Sequence, residues 1–184
     1  MSAVSDTEAI PALPALKCLG RLSELRPTVI ADTREQLVLP FYRLPVVRGT
    51  IRTGDYSFVG ADELFTIERK SVPDLVSCCT ASNRDRFENE LHRARGYRFA
   101  RLVIVGTREE IAQELYRSSL PGKVVLHTLS AFEARYIPVV FIPTPEEAAL
   151  KIEEWIYWFA RQMVEEANTL ARDNGLTQPA ANGG

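Results

Sequence analysis

The chain has 184 residues, 46 % hydrophobic and 25 % charged, with a formal net charge of −2. That balance fits one soluble globular domain with a real core, and it excludes a protein drawn to nucleic acid by net charge alone. No run of about 18 apolar residues occurs, so no membrane span is expected.

Residues 1–26 open with MSAVSDTEAIPALPALKC and are rich in Ala, Pro and Leu without a sustained period. They are expected to form a poorly ordered arm. A basic start followed by a continuous apolar stretch is missing, so no secretory signal is expected. Thr28 to Asp32 reads as a short buried strand. Residues 37–45 hold two prolines and two aromatics and predict a loop. Val46 to Thr50 predicts an edge strand. Gly54 marks a turn, and Asp55 to Val59 alternates polar and apolar, as a half-buried strand does. Residues 60–63 close a hairpin, with Leu64 to Lys70 as the returning strand. Alternation places Glu68 and Lys70 on one face and Ile67 and Arg69 on the other. It also turns Tyr56 away from Asp55 and into the core.

Ser71, Pro73 and Asp74 form a helix start, with Ser as N-cap, and the helix runs to about Cys79. A second helix over 84–95 sets Phe87, Leu91 and Ala94 on one face and stops at Gly96. From Arg84 to Arg101 six arginines (Arg84, Arg86, Arg93, Arg95, Arg98, Arg101) face three acids, a local charge of +3. Such a patch suits a phosphate backbone or simply a solvated helix face. Arg101 to Val105 predicts a strand, 107–115 a Thr-capped helix, 122–135 another helix and 137–142 a strand. Thr144 caps the last helix, with Pro145 and Glu147 in its first turn. Ile152, Trp155, Ile156, Phe159 and Met163 form its apolar stripe. Tyr157 and Trp158 lie off that stripe and either widen the core face or mark a partner contact. Residues 174–184 are expected to be a disordered tail. One domain over 27–173 remains, in which strands alternate with helices, and this predicts an α/β fold with a mixed sheet.

The cysteines are Cys18, Cys78 and Cys79, an odd count with two adjacent, which makes a poor disulfide framework. A reducing, cytoplasmic compartment is therefore expected. His92 and His127 stand in no zinc-binding pattern, have no acidic or thiol neighbour at useful spacing, and are expected to carry no catalytic duty. Any metal should be a hard cation held by oxygen.

Asp55, Glu68 and Lys70 carry the chemistry. Two carboxylates on neighbouring antiparallel strands can converge on one divalent cation. A lysine on the face of the second carboxylate can stabilise developing negative charge or orient the attacking water. That grouping suits phosphodiester hydrolysis, although an isolated Asp…Glu-x-Lys pattern also arises by chance on surface strands. The wider string is more specific: Asp32-Thr33-Arg34-Glu35 after one strand, Gly54-Asp55 opening the next, Glu68-Arg69-Lys70 ending the third, and Asp74 four residues on. Over roughly residues 28–160 the sequence closely resembles the XPF family of structure-specific endonucleases. That family's hallmark is Gly-Asp, then Glu-Arg-Lys, three residues and Asp, preceded by Asp-x-Arg-Glu.

The resemblance implies an α/β restriction-endonuclease-like fold, a mixed central sheet flanked by helices. It implies magnesium or manganese dependence and cleavage of branched, flapped or distorted duplex DNA. By position, Asp55 and Glu68 correspond to the metal ligands, with the Arg69 carbonyl as a third, and Lys70 to the catalytic lysine. Asp32 and Glu35 line the site as water-mediated or second-metal ligands, while Arg34 and Arg69 support carboxylates or contact phosphate. Asp74 is either a site carboxylate or the capping residue of its helix. Arg84 or Arg86 corresponds to a phosphate contact, and Arg93 belongs to the same basic patch. Many family members carry a tandem helix-hairpin-helix module; no Gly-x-Gly hairpin pair occurs here, which points to a stand-alone nuclease domain. Nuclease domains of this family commonly pair, which implies a homodimer or a partner subunit. Its surface is expected on the last helix and the strand before it, because Trp155, Tyr157, Trp158 and Phe159 cluster on that helix. A catalytically silent DNA-binding or scaffold subunit is the competing reading, but every motif position is filled. An RNA nuclease is a third, since the chemistry is shared.

Overall fold

Six strands form one mixed sheet in the computed structural model, which describes residues 12–13 and 26–175. Apart from those residues, the expected arm and tail lie outside the described part. The strands are β1 (Val29–Asp32), β2 (Val46–Gly49), β3 (Tyr56–Phe58), β4 (Phe65–Ser71), β5 (Phe99–Val105) and β6 (Val139–Ile142). Their order is β2-β1-β3-β4-β5-β6. β3 runs antiparallel to β1 and β4, while β1–β2, β4–β5 and β5–β6 are parallel. β2 lies at the edge, as expected.

Helices cover both faces. α1 (Val72–Cys78), α2 (Ala81–Ala94), α3 (Arg108–Ala112) and α4 (Gly122–Arg135) share one core with Ala100, Leu102 and Ile104 of β5. α5 (Pro145–Asp173) packs Ile152, Ile156 and Phe159 on the other face, against Val29, Phe58, Phe65 and Val103. The alternation along β5 thus feeds the two cores from one strand. The caps explain the helix starts. Ser71 Oγ accepts from Asp74 N–H, Thr107 forms a full capping box with Glu110, and Thr144 Oγ1 accepts from Glu147 N–H.

Three expectations need correcting. β3 is not half-buried: Tyr56, Ser57 and Phe58 are all buried, because the strand is sandwiched between β1 and β4 with helices on both faces. Ser57 tolerates this by donating its hydroxyl to the Phe65 carbonyl at 2.7 Å. α2 begins at Ala81 rather than Arg84, since its first turn is polar and the apolar period starts only at Phe87. α3 ends at Ala112, shortly before Glu114 takes a left-handed φ of 58°. Of the four aromatics on α5, Tyr157 and Phe159 are buried and Trp155 is half-buried, so they serve the chain's own core; Trp158 alone of the four is exposed. Among the described residues, no helix is long and apolar enough to cross a membrane.

The loop over 37–45 is fastened mainly by one buried side chain, besides the Tyr56 hydroxyl that accepts from Leu39 N–H at 3.1 Å. Glu153 of α5 accepts hydrogen bonds from the backbone N–H groups of Tyr42, Arg43 and Leu44 at 2.7–3.0 Å. It also accepts from Arg43 Nε at 3.1 Å, and Arg43 Nη2 donates to the Leu150 carbonyl.

Gly54 sits where the chain enters β3. Its φ is +85°, and an added Cβ would come 2.2 Å from Thr66 Oγ1 and 2.8 Å from the Ile67 carbonyl oxygen. Gly54→Ala is expected to destabilise the fold by about 2–4 kcal/mol from left-handed strain and the clash together. Thermal denaturation checks this, and an unchanged midpoint would contradict it.

Candidate active site

Asp55 is held by the sheet on both sides. Its N–H donates to the Ile67 carbonyl at 2.8 Å, and its carbonyl accepts from Asp32 N–H at 2.9 Å. Its side chain is fixed too, because Oδ2 accepts from the Arg69 N–H at 2.7 Å. β3 and β4 pair antiparallel with Tyr56 opposite Ile67, which sets Asp55 beside Glu68 of β4. Glu68 is buried there, and two residues on the Lys70 ammonium donates to Glu68 Oε1. The expected shared face of Glu68 and Lys70 is therefore observed. Arg69 leaves on the other side and donates from Nη2 to Glu35 Oε1 at 2.7 Å. Its Nε is buried and has no partner among the described residues.

Asp55, Lys70, Arg69, Glu35 and Arg34 line one polar cleft of about 500 Å³, together with Arg86 and Asp74. A narrower continuation of about 170 Å³ holds Asp55, Glu68, Lys70 and Arg93. Here the structure brings most of the sequence-expected residues together. Asp32 has a different task. Its carboxylate accepts from Arg34 N–H, Nε and Nη2 at 2.6–3.2 Å and from Ile51 N–H at 2.9 Å. It thus ties the turn after β1 to the loop before β3, and Arg34 supports this carboxylate as expected. Asp74 caps α1 through Ser71, at 2.7 Å from the hydroxyl, while still bordering the cleft. Arg84 lines neither part of the cleft; it pairs with Glu88 at 2.7 Å and lies over the Phe132 ring. His92 and His127 are exposed.

The electrostatics follow from burial. Desolvation and the neighbouring Asp55 charge push the Glu68 carboxyl up to about 7, against the pull of Lys70. Burial also raises Asp55, although Lys70 and the Arg69 N–H oppose it. Burial would depress the Lys70 ammonium, but Glu68 and Asp55 outweigh that and hold its pKa above the ordinary value. Lys70 is therefore a cation at neutral pH and no general base. Asp32 is also raised by burial, yet hydrogen bonds from Arg34 and Ile51 bring it below the usual carboxylate range. Cys78 and Cys79 are free and buried, and desolvation pushes both thiols up, Cys79 to about 12, which leaves no reactive thiolate.

Among the described residues, no three His, Cys, Asp or Glu side chains gather as a metal cage. The set Asp55, Glu68 and Asp32 is accordingly not one cluster. Asp55 and Glu68 alone still fit a hard divalent cation: Glu68 is buried and Asp55 half-buried, their charges repel, and a magnesium site needs only one or two carboxylates beside water and phosphate.

Sequence reasoning missed Arg52 and Tyr97, which border the cleft's extension. Arg52 stands three residues before Asp55 in the same turn, a spacing that could have flagged it.

Fold and site together define a restriction-endonuclease-like domain. The ERCC4 domain model matches residues 23–154. The chain belongs to the ERCC4 domain family. Among solved structures it is similar to XPF from Aeropyrum pernix, with 19 % identity, a TM-score of 0.58 and 73 % of this chain against 62 % of that one. It is equally similar to XPF from Aeropyrum pernix in complex with DNA, again with 19 % identity and a TM-score of 0.58, over 74 % of this chain and 66 % of that one. The chain thus spans less than two thirds of the length of either. No curated protein matches.

Proposed function

We propose that this chain is a divalent-metal-dependent endonuclease that hydrolyses phosphodiester bonds in branched or flapped DNA. The observation that carries the reading is the convergence of Asp55, Glu68 and Lys70 in one polar cleft inside an ERCC4 domain. The likeness to XPF from Aeropyrum pernix in complex with DNA supports DNA as the substrate.

Asp55 and Glu68 would hold a magnesium or manganese ion, which supplies a polarised phosphoryl oxygen and a bound water of lowered pKa. The protein's own groups do the rest. Lys70 keeps its positive charge and would stabilise charge developing on the phosphoryl oxygens. Arg69 and Arg34 fasten Glu35 and Asp32, so the loops forming the cleft walls stay in register with the β4 end. Arg86 and Arg93 have no hydrogen bond or ion pair to a carboxylate among the described residues, which leaves both guanidiniums available to phosphate.

The test is a panel of labelled single-stranded DNA, duplex, 3′ flap, splayed arm, four-way junction and RNA duplex, each with magnesium, manganese or EDTA. Metal-dependent cutting of branched DNA is expected. Cutting of RNA in preference to DNA would overturn the substrate class. The competing reading is a silent DNA-binding subunit, in which Asp55 and Glu68, with no third acidic side chain gathered beside them among the described residues, hold no catalytic cation. Tight DNA binding without cutting in any metal would establish it.

A further inference from the structure

Beyond the catalytic cleft, the same groove continues into a second cavity of about 290 Å³, bordered by Arg52, Thr53, Glu63, Arg93, Gly96 and Tyr97. Arg52, Thr53 and Arg93 line this cavity and the catalytic one alike, so the two are continuous. The geometry points to a nucleotide subsite next to the scissile phosphate, in which Arg52 and Arg93 hold a backbone phosphate and the Tyr97 ring receives an unstacked base. This rests on the nuclease reading and adds to it a reason for preferring unpaired DNA.

Three features carry it. First, the cations are free to bind. Arg34, Arg43, Arg69, Arg84, Arg98, Arg135 and Arg161 all pair with carboxylates. Arg52 and Arg93 pair with none among the described residues, although Glu63 shares their cavity. An unpaired guanidinium pair in a groove presents donors suited to phosphate oxygens. Second, an aromatic ring lies beside them. Tyr97 follows α2 in the turn after Gly96 and is half-buried, packed against the core under α2 while lining the cavity. A ring anchored in this way offers a rigid stacking platform at small entropic cost. Third, chain connectivity fixes the cavity to the chemistry. Arg52 and Thr53 lead directly into Gly54 and Asp55, and Thr53 anchors that turn by accepting from Thr66 Oγ1 at 2.6 Å. A strand whose phosphate sits at Lys70 can therefore run on into this cavity, which shares Arg52, Thr53 and Arg93 with the catalytic one. A base inside a duplex remains stacked on its neighbours and cannot lie on Tyr97, so the subsite favours single-stranded or splayed DNA over paired DNA.

The experiment is fluorescence anisotropy in EDTA with a single strand, a splayed arm and a fully paired duplex of one sequence. Proteins are the wild type, Arg52→Ala, Arg93→Ala, Tyr97→Ala, Tyr97→Phe, Tyr97→Leu and, as a control for lost charge, the exposed Arg117→Ala. Tyr97→Ala is expected to weaken single-strand and splayed-arm binding about 5- to 100-fold and duplex binding far less, with Tyr97→Phe close to wild type. Tyr97→Leu keeps apolar packing without a π face, so it reports on stacking even if the alanine variant fails to fold. Arg52→Ala and Arg93→Ala should each weaken all three ligands and reduce the salt slope by about 1, unlike Arg117→Ala. Equal loss on single strand and duplex in Tyr97→Leu, or an Arg52→Ala variant matching the control, would overturn the subsite while leaving the nuclease reading intact. A wild type that neither binds nor cuts any DNA would remove both.

Discussion

Lys70→Ala is expected to lower single-turnover cleavage by about 100- to 1000-fold, the usual effect of removing one preorganised donor from developing negative charge. The lysine's role follows from its surroundings. Its ammonium lies against Glu68 and is kept charged by Glu68 and Asp55 in spite of burial. A group so firmly protonated cannot accept a proton, so in the proposed reaction its task is to stabilise charge. Lys70→Arg should not restore the rate, because the planar fork cannot occupy the space of a compact ammonium beside Phe87 and Glu68. Asp55→Ala should abolish cutting as well, by taking away one of the two carboxylates suited to the cation. The pH dependence has a defined sign. A cation needs Glu68 ionised, and that carboxyl sits at about 7 rather than near 4.5. Below about pH 7 a proton competes for the same oxygens, so the metal concentration for half-maximal rate should rise up to roughly tenfold per pH unit. The raised carboxyl also costs stability in the metal-free protein as pH climbs from about 4.5 to 7, since the fold binds the proton more tightly than the unfolded chain does. Metal titrations of rate at several pH values check this, with circular dichroism confirming that each variant is folded. Unchanged cutting by Lys70→Ala would defeat the assignment.

What could be read from the sequence was what local chemistry encodes. The caps at Ser71, Thr107 and Thr144 located three helix starts, because a hydroxyl followed by an acid three residues on satisfies local N–H groups. The alternation along β4 placed Glu68 with Lys70 and Arg69 apart from them. The chain's motif string brought the mixed sheet and its flanking helices with it. What stayed hidden depended on contacts between distant segments. The double burial of β3 requires knowing that β1 and β4 flank it, which no window of five residues contains. The Asp32 carboxylate looks like a ligand in sequence, yet it is saturated by Arg34 and by a backbone N–H nineteen positions away. Arg84 and Arg93 look alike along α2, but Glu88 one turn on claims the first and leaves the second facing the cleft. The aromatics of α5 suggested a partner surface because their rings exceed one stripe. Phe58, Phe65 and Phe99 absorb Phe159, and Phe99 also meets Trp155, within the chain.

Glu153→Ala is expected to destabilise the protein by about 3–5 kcal/mol, the cost typical of removing one member of a buried ion pair. For a chain of this size that corresponds to a fall in melting temperature of roughly 6–20 °C. Nothing in the sequence singles out Glu153; it sits among charged residues on a helix and would pass for surface. In the structure it is fully buried and its Oε1 alone accepts three consecutive backbone N–H groups of the 37–45 loop. Those amides lie in a loop with no strand partner, so without the carboxylate all three would lose their acceptor, that of Leu44 in a buried position. The Arg43 guanidinium, itself mostly buried, would lose its nearer counter-charge at the same moment and keep only the half-exposed Glu154 at 3.8 Å. Glu153→Gln separates the two effects. It keeps an acceptor oxygen for the amides and gives up the charge, so its loss should be smaller than that of the alanine variant. Arg43→Ala should also cost less than Glu153→Ala, since the carboxylate keeps its three amide donors. The consequence reaches the active site, because the same loop leads back to Glu35, whose carboxylate holds Arg69. Urea denaturation of Glu153→Ala, Glu153→Gln, Arg43→Ala and the double variant Arg43→Ala/Glu153→Ala measures both the order and the coupling. A loss below about 1 kcal/mol in Glu153→Ala would place the loop's stability in its apolar anchors, Leu39 and Leu44, instead of this carboxylate.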